Sequence, residues 1–530
     1  MRIFTNPLIL IVLMTITNLS IAQEGRFTKE VFTKVNVSTL GPATGLQQNF
    51  TVMPWVGGLQ ATPPQVGGTQ RQPLRAQFYT PDGDTKTDRP LIIYLHTGNF
   101  FPYLVNGSCG GTITDSVNVE MATRLAKMGY VVAVVEYRQG WLPTIAQEIM
   151  KRYTLIQAAY RGVQDVNSYV RYFKKSVKVD NNPHGIDTTK ITVWGVGTGG
   201  YISLASAFLN QYSEITNTPG GKWLLPISPT ATVPMIIEAQ NGLINGDGPP
   251  TVATAQFVPV SQLFFKSGDT LSVPNHVGYT SDYALTVNCG GALGDSSWIS
   301  AAETPLISFH VDSDAFAPCK TAILRVPTTR GPEPVVEVSG SCDVANIVDR
   351  KGLNDIFKTI PAARDPFKAR SNSSNLGFYR FLGTPNDSGS PWEWTNASQP
   401  KPATDPTTRD CNTNAASARK YIDTIIGYFA PRACVALGLN CWPASASVTD
   451  AQVNLKLAPN PATSEINITV ADNKPVKSYA IYDISGRMLR NMNDVNSSFV
   501  SVRRENLQDG MYLIQLRFEE GVLTKKVIFE

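Results

Sequence analysis

The feature that most restricts how this chain can fold is an alternation between residues 90 and 209. Pro90 to Leu95 (PLIIYL), Tyr130 to Val135 (YVVAVV) and Lys190 to Trp194 are short, largely apolar runs. Asn118 to Met128, Tyr160 to Phe173 and Tyr201 to Leu209 instead carry their apolar residues at helical spacing. Apolar runs without polar alternation suit strands covered on both faces, and strands separated by helices align in parallel. The expected class is α/β: a mainly parallel sheet with helices on both faces. Arg75 to Tyr79 reads as an earlier strand, Pro81-Asp82-Gly83-Asp84 as a turn, and Pro305 to Val311 (PLISFHV) as a later buried strand. The stretch from about 210 to 304, broken by Pro, Gly, Ser and Thr, reads as an insertion, and Ala416 to Phe429 as a closing helix ended by Pro431.

After a Pro/Ala/Ser linker at 441–452 the period changes to two, in Glu465 to Val470, Ser478 to Tyr482, Phe499 to Val502, Tyr512 to Phe518 and Leu523 to Phe529. Such alternation predicts a small β-sandwich, with Gly486 and Gly510 at tight turns.

Composition narrows the function classes. A net charge of +4 over 530 residues is too small to mark a nucleic-acid or anionic-membrane partner. Arg2, the apolar run Leu8 to Met14 and Ser20-Ile21-Ala22 have the layout of a signal peptide over 1–22, followed by a Gly/Pro-rich arm at 23–74. No later run reaches the about 20 apolar residues of a membrane span, so none is expected in the mature chain. The seven cysteines (109, 289, 319, 342, 411, 434 and 441) show no CxxC or zinc-like spacing. In an exported chain they imply structural disulfides with one thiol left over. Asp82-Gly83-Asp84 and Asn386-Asp387-Ser388-Gly389 lack the ligand spacing of a calcium loop, and no metal or cofactor is expected.

Two resemblances add to this reading. Ala458-Pro459-Asn460-Pro461, Tyr482 to Arg487 (YDISGR), Leu507 to Leu516 (LQDGMYLIQL) and Lys525 to Phe529 (KKVIF) resemble the type A sorting domain of the Bacteroidota type IX secretion system, over 453–530. The resemblance implies that machinery as a partner, and a product released or held at the outer-membrane surface. Residues 75–440 resemble a carboxylesterase-type α/β-hydrolase. Leu91 to Phe100 (LIIYLHTGNF) is similar to its oxyanion-loop strand, His184 to Asp187 (HGID) to the turn before its elbow, and Ile191 to Gly200 (ITVWGVGTGG) to the elbow itself.

The chemistry the family needs is incomplete. A nucleophile elbow is Gly-x-Ser-x-Gly because the serine hydroxyl must project from the apex toward a histidine. Here the elbow is Gly195-Val196-Gly197-Thr198-Gly199, with Gly197 at the nucleophile position. Asp314, after Ser308 to Ser313, stands at the acid position, with Asp312 as the other occupant to weigh. The family's histidine follows its acid in the chain, but the four histidines here are His96, His184, His276 and His310. His276, in the insertion, would have to fold back over the cleft to serve.

The cleft candidates are His96, Gly98, Asn99, Phe100, Thr198 and Asp314. Trp141, Tyr201, Trp298, Trp392 and Trp394 are either ligand-stacking or packing aromatics. Two functions follow from this sequence. One is an exported, catalytically degenerate hydrolase fold acting in binding, adhesion or structure on an extracellular ligand or protein partner. The other is an active secreted carboxylesterase-like hydrolase with an unorthodox nucleophile, for which Thr198 is the nearest hydroxyl.

Overall fold

The computed structural model describes residues 25–41, 47–51, 69–101, 106, 110–141, 147–252, 268, 270–314, 316–328, 331–383, 389–394, 411–412, 414–441, 448–484, 487–518 and 521–530. The signal-peptide segment, Cys109 and Asn386-Asp387-Ser388 lie outside the described residues. The chain divides into two compact units, Met1–Cys441 and Trp442–Glu530.

The first unit is built on eight strands: β1 (Val35–Leu40), β2 (Ala76–Pro81), β3 (Arg89–Leu95), β4 (Val131–Val135), β5 (Ile186–Val196), β6 (Leu285–Cys289), β7 (Leu306–Val311) and β8 (Phe378–Phe381). Their spatial order is β1-β2-β4-β3-β5-β6-β7-β8. The first two pairings, β1 with β2 and β2 with β4, are antiparallel, and every later one is parallel. All residues of β3, β4, β6 and β7 are buried, which is why these strands show no polar alternation.

Helices cover both faces. Leu91, Ile93 and Leu95 of β3 pack in a core with α2 (Glu148–Lys178), α3 (Thr198–Phe208) and α4 (Ser341–Arg350). Ile92 and Tyr94 point the other way, into a core with α1 (Ser116–Lys127) and α5 (Ala415–Ala436). This is the period-two geometry of a strand with a helix layer on each side.

Several expectations need correction. The insertion does not run to 304, because β6 lies inside that stretch and joins the central sheet between β5 and β7. At five residues, fully buried, it offers neither length nor alternation to mark it. The arm contributes β1, whose partner is β2. The closing helix continues through Pro431 to Ala436 because Phe429, Ala430, Arg432 and Ala433 are all buried on it. The Arg432 guanidinium also bonds Tyr428 O at 2.9 Å, Leu376 O at 2.9 Å and Asp365 at 2.8 and 3.2 Å. Tertiary packing here outweighs the lost backbone bond. Asp84, read as a turn residue, pairs with Arg26 at 3.0 and 2.5 Å.

Cys319 is joined to Cys342 and Cys434 to Cys441, while Cys289 on β6 is a buried free thiol. A hairpin, Ala322–Thr328 with Gly331–Val338, rises between β7 and β8 from the base fixed by the first of these bonds.

The second unit is a sandwich with its own core, including Ile466, Ile481, Val502, Ile514 and Val527. One sheet joins β9 (Lys456–Ala458), β10 (Glu465–Thr469) and β13 (Phe499–Arg503). The other joins, in order, β12 (Met488–Met492), β11 (Ser478–Tyr482), β14 (Gly510–Arg517) and β15 (Val522–Phe529).

Candidate functional site

The elbow lies between β5 and α3. Gly197 has φ 53° and ψ −115°, a backbone state that L side chains rarely adopt. Its N–H donates to Cys289 O at 2.8 Å, and its carbonyl accepts from Tyr201 N at 3.2 Å. The flanking glycines answer to close packing: a Cβ on Gly195 would overlap the backbone of Gly199, and one on Gly199 would overlap the Leu95 carbonyl. The glycine spacing therefore serves the approach of β3, β5 and α3, whatever stands at the apex. A Cβ on Gly197 would collide with the Thr97 Oγ1. Thr97 thus fills the space that a nucleophile's side chain would need.

The loop after β3 bends sharply, with φ of 135° at Gly98, 54° at Asn99 and 55° at Phe100. Its strain is held by hydrogen bonds. Trp141 Nε1 donates to Asn99 O at 2.9 Å, Gly140 N to Phe100 O at 2.7 Å, and Asn99 Nδ2 to Asn106 O at 2.8 Å. His96 stacks on Tyr137 with ring centroids 4.7 Å apart. Its Nδ1 lies 2.5 Å from Thr97 O, and the Tyr137 hydroxyl donates to His96 O at 2.8 Å. Burial pulls its pKa down, against an opposing pull from the Asp115 carboxylate. His96 is a packed part of the loop's support.

Asp314 follows β7 as a turn-former. Its Oδ1 accepts from Phe316 N at 2.8 Å and Ala317 N at 3.0 Å. Asp312 forms a bidentate pair with Arg380, at 3.1 Å to Nε and 2.7 Å to Nη2.

The histidines stand elsewhere. His276 and His184 both pack on Tyr172, with centroids at 5.5 and 5.8 Å, and the Tyr172 hydroxyl is 2.9 Å from His184 Nε2. His184 lies two residues before β5, whose 11 residues run to the elbow. β5 pairs Ile186 with Arg89 and Gly195 with Leu95, so its two ends stand six β3 steps, about 20 Å, apart, and the Tyr172 cluster that holds His276 lies at the end away from the elbow. The fold-back of His276 over the cleft is excluded. His310 is interior to β7 with both ring nitrogens unpartnered among the described residues. Burial, the first cause in each case, lowers the pKa of His184, His276 and His310 to about 4, so all three are neutral at pH 7.

Above the elbow lies a cavity of about 100 Å³. Of the residues the sequence nominated, Asn99, Phe100, Thr198 and Asp314 line it, joined by Gly197 and by Trp141, Tyr201 and Trp298. His96 and Gly98 are not part of this lining. Trp392 is buried in the core shared with α5, and Trp394 lies under Arg419 at 5.7 Å. The lining also includes Thr97, Trp223, Ser390 and the hairpin residues Leu324, Val336 and Val338, which sequence reasoning missed. Thr97 sat inside the recognised motif and could have been found. The hairpin residues carry no local signal, since only the tertiary fold brings them over the sheet.

Two family models match parts of the chain. The BD-FAE family model, an esterase-like α/β-hydrolase family, matches residues 76–239. The model of the secretion system C-terminal sorting domain matches residues 456–530. Among solved structures, an esterase of Pyrobaculum calidifontis is 20% identical over 37% of this chain and 44% of its own, with a TM-score of 0.18. Thermogutta terrifontis esterase 2 is 15% identical over 49% and 76%, at 0.23. Brefeldin A esterase, a bacterial homologue of human hormone sensitive lipase, is 16% identical over 39% and 46%, at 0.18. The chain spans less than half the length of the first of these esterases, and scores this low decide nothing about the site. No curated protein matches the chain.

The class is thus an esterase-like α/β-hydrolase domain joined to a small β-sandwich. The sandwich is a type IX sorting domain, which directs the protein to secretion and attachment at the cell surface. Among the described residues no helix is long and apolar enough to cross a membrane.

Proposed function

We propose that this exported protein is a catalytically degenerate hydrolase fold, whose cleft binds an extracellular ligand or partner in a binding, adhesion or structural role, without serine-type acyl transfer. The observation that carries the reading is the occupation of the apex space by Thr97, opposite a residue with no side chain. Serine-type chemistry needs a hydroxyl on the apex and an imidazole within hydrogen-bond reach of it. Gly197 supplies no hydroxyl, His184 and His276 pack on Tyr172, His310 is interior to β7, and His96 is stacked on Tyr137 with its Nδ1 against Thr97 O. The remaining loop and helix N-terminus could give about 10³ to 10⁴-fold over water by electrostatics alone, far short of an intact triad.

The test is labelling of the secreted protein by a fluorophosphonate probe, together with p-nitrophenyl butyrate turnover against a heat-denatured control. Neither signal should exceed background. The rival reading, an active hydrolase with an unorthodox nucleophile, draws on the retained Asp314 and on the hydroxyls of Thr97 and Thr198 at the elbow. It requires turnover that collapses on Thr97→Val or Thr198→Val and on Asp314→Asn.

A further inference from the structure

We propose that the groove along the outer side of α1 is a binding site for a neutral oligosaccharide or polysaccharide, seated on Trp394 and held by the ion pairs around it. The groove shares no lining residue with the cavity over the elbow, so the site stands apart from the reading above.

The helix α1 buries Val117, Met121, Ala122 and Leu125 in the core beneath it. Its opposite side, where Ser116, Glu120, Thr123, Arg124 and Lys127 recur at three- and four-residue spacing, floors a groove of about 580 Å³. From Ser116 to Lys127 the floor is about 17 Å long, which suits an oligomer better than one small molecule. Glu30 of the N-terminal arm also lines the groove, as do Trp394 and Arg419, the latter from the first turns of α5.

Charge decides the ligand. Arg419 binds Glu120 through Nε and Nη2, both at 3.1 Å, and Arg124 binds Glu30 through Nε at 3.1 Å and Asp423 through Nη1 at 2.7 Å. Lys127 lies 3.5 Å from the same Glu30. Three cations thus face three carboxylates, and a charged polymer would have to displace one partner to gain its own. A neutral polyol need not. Its hydroxyls accept from the outer N–H groups, at Arg419 Nη1 and Arg124 Nη2, and donate to carboxylate oxygens, each of which has more than one acceptor site. Trp394 supplies the other half of sugar recognition, a wide aromatic surface for the C–H face of a pyranose. The Arg419 guanidinium stands over that ring at 5.7 Å from its centre, which brings donor and stacking surface together.

The experiment is isothermal titration calorimetry of the full chain at low salt, with cellohexaose, isomaltohexaose and mannohexaose as neutral probes and hexagalacturonate as the anionic one. At least one neutral probe should bind, and hexagalacturonate at least about three-fold more weakly, a margin of the size that an exposed ion pair imposes. Trp394→Ala should weaken the neutral probe about ten-fold, the order of one lost aromatic contact, and Trp394→Phe should retain most of its binding. Glu120→Gln keeps an acceptor on α1 but releases Arg419, and should strengthen hexagalacturonate about three-fold while moving the neutral probe less than about two-fold. Binding of none of the neutral probes, tighter binding of hexagalacturonate by the parent, or neutral binding unmoved by a folded Trp394→Ala protein overturns the proposal. A lowered urea midpoint would identify a misfolded Trp394→Ala protein. Glu120→Gln, on the outer side of α1, then decides, and an unchanged preference between neutral and anionic probes overturns the proposal.

Discussion

Gly197→Ser restores the family's elbow sequence, and the geometry says it should damage the protein without activating it. Two costs add. A side chain at φ 53° and ψ −115° occupies a sparsely populated region, at about 1–3 kcal/mol. The new Cβ also overlaps the Thr97 Oγ1 and comes within 3.0 Å of the Thr97 Cβ. Forcing atoms into such a packed site costs roughly 1–3 kcal/mol more. The expected loss is about 2–6 kcal/mol, with only the second part relieved by a companion Thr97→Ala change. The two substitutions should therefore couple by about 1–2 kcal/mol in a double-mutant cycle. Urea unfolding followed by tryptophan fluorescence is the assay, because seven of the eight tryptophans precede residue 442 and report on the first unit. Neither variant should gain reactivity toward a fluorophosphonate, since His96, the imidazole beside the elbow, is stacked on Tyr137 with its Nδ1 against Thr97 O. A Gly197→Ser protein within about 0.5 kcal/mol of the parent, or one that becomes labelled, would refute the reasoning.

Three further outcomes are expected. His310 has a folded pKa of about 4 against about 6.5 unfolded, so its contribution is complete above pH 6.5 and is lost as pH falls toward 4. Comparing His310→Leu with the parent from pH 7 to 4 should show a difference in unfolding free energy that grows on acidification to at most about 3 kcal/mol, and a constant difference would contradict the assignment. Arg138 and Asp165, with side chains 1% and 0% exposed, bond at 2.9 Å, and Arg138→Met should cost about 3–5 kcal/mol in urea midpoint analysis by stranding the carboxylate. Truncation after Cys441 should leave the first unit folded, because its two cores share no residue with that of the sandwich, yet retained inside the cell envelope; its appearance in the culture supernatant would argue against the sorting role.

The parts of the fold legible in the sequence were those in which one local rule sufficed. β3 and β4 were readable as apolar runs because helices cover them on both sides, and the elbow because close backbone approach admits only glycine at Gly195 and Gly199. β6 was hidden, with five buried residues amid turn-forming sequence. The expected helix over Tyr160 to Phe173 is less than half of α2, whose first turns carry Glu148, Lys151 and Arg152 and so mask the apolar stripe. Of the site, the bare apex and Asp314 could be found by motif. The filling of the apex by Thr97 could not, because it is a contact between two loops distant in sequence.

The buried free thiol of Cys289 bears on how the exported chain acquires its covalent links. Burial raises its pKa well above that of a free cysteine, so the nucleophilic thiolate is scarce once β6 has docked. Sheet assembly thereby withdraws it from disulfide exchange, leaving fewer wrong pairings open to Cys319, Cys342, Cys434 and Cys441. A chain oxidised before its sheet has closed keeps a competent attacking sulfur and a route to scrambled isomers.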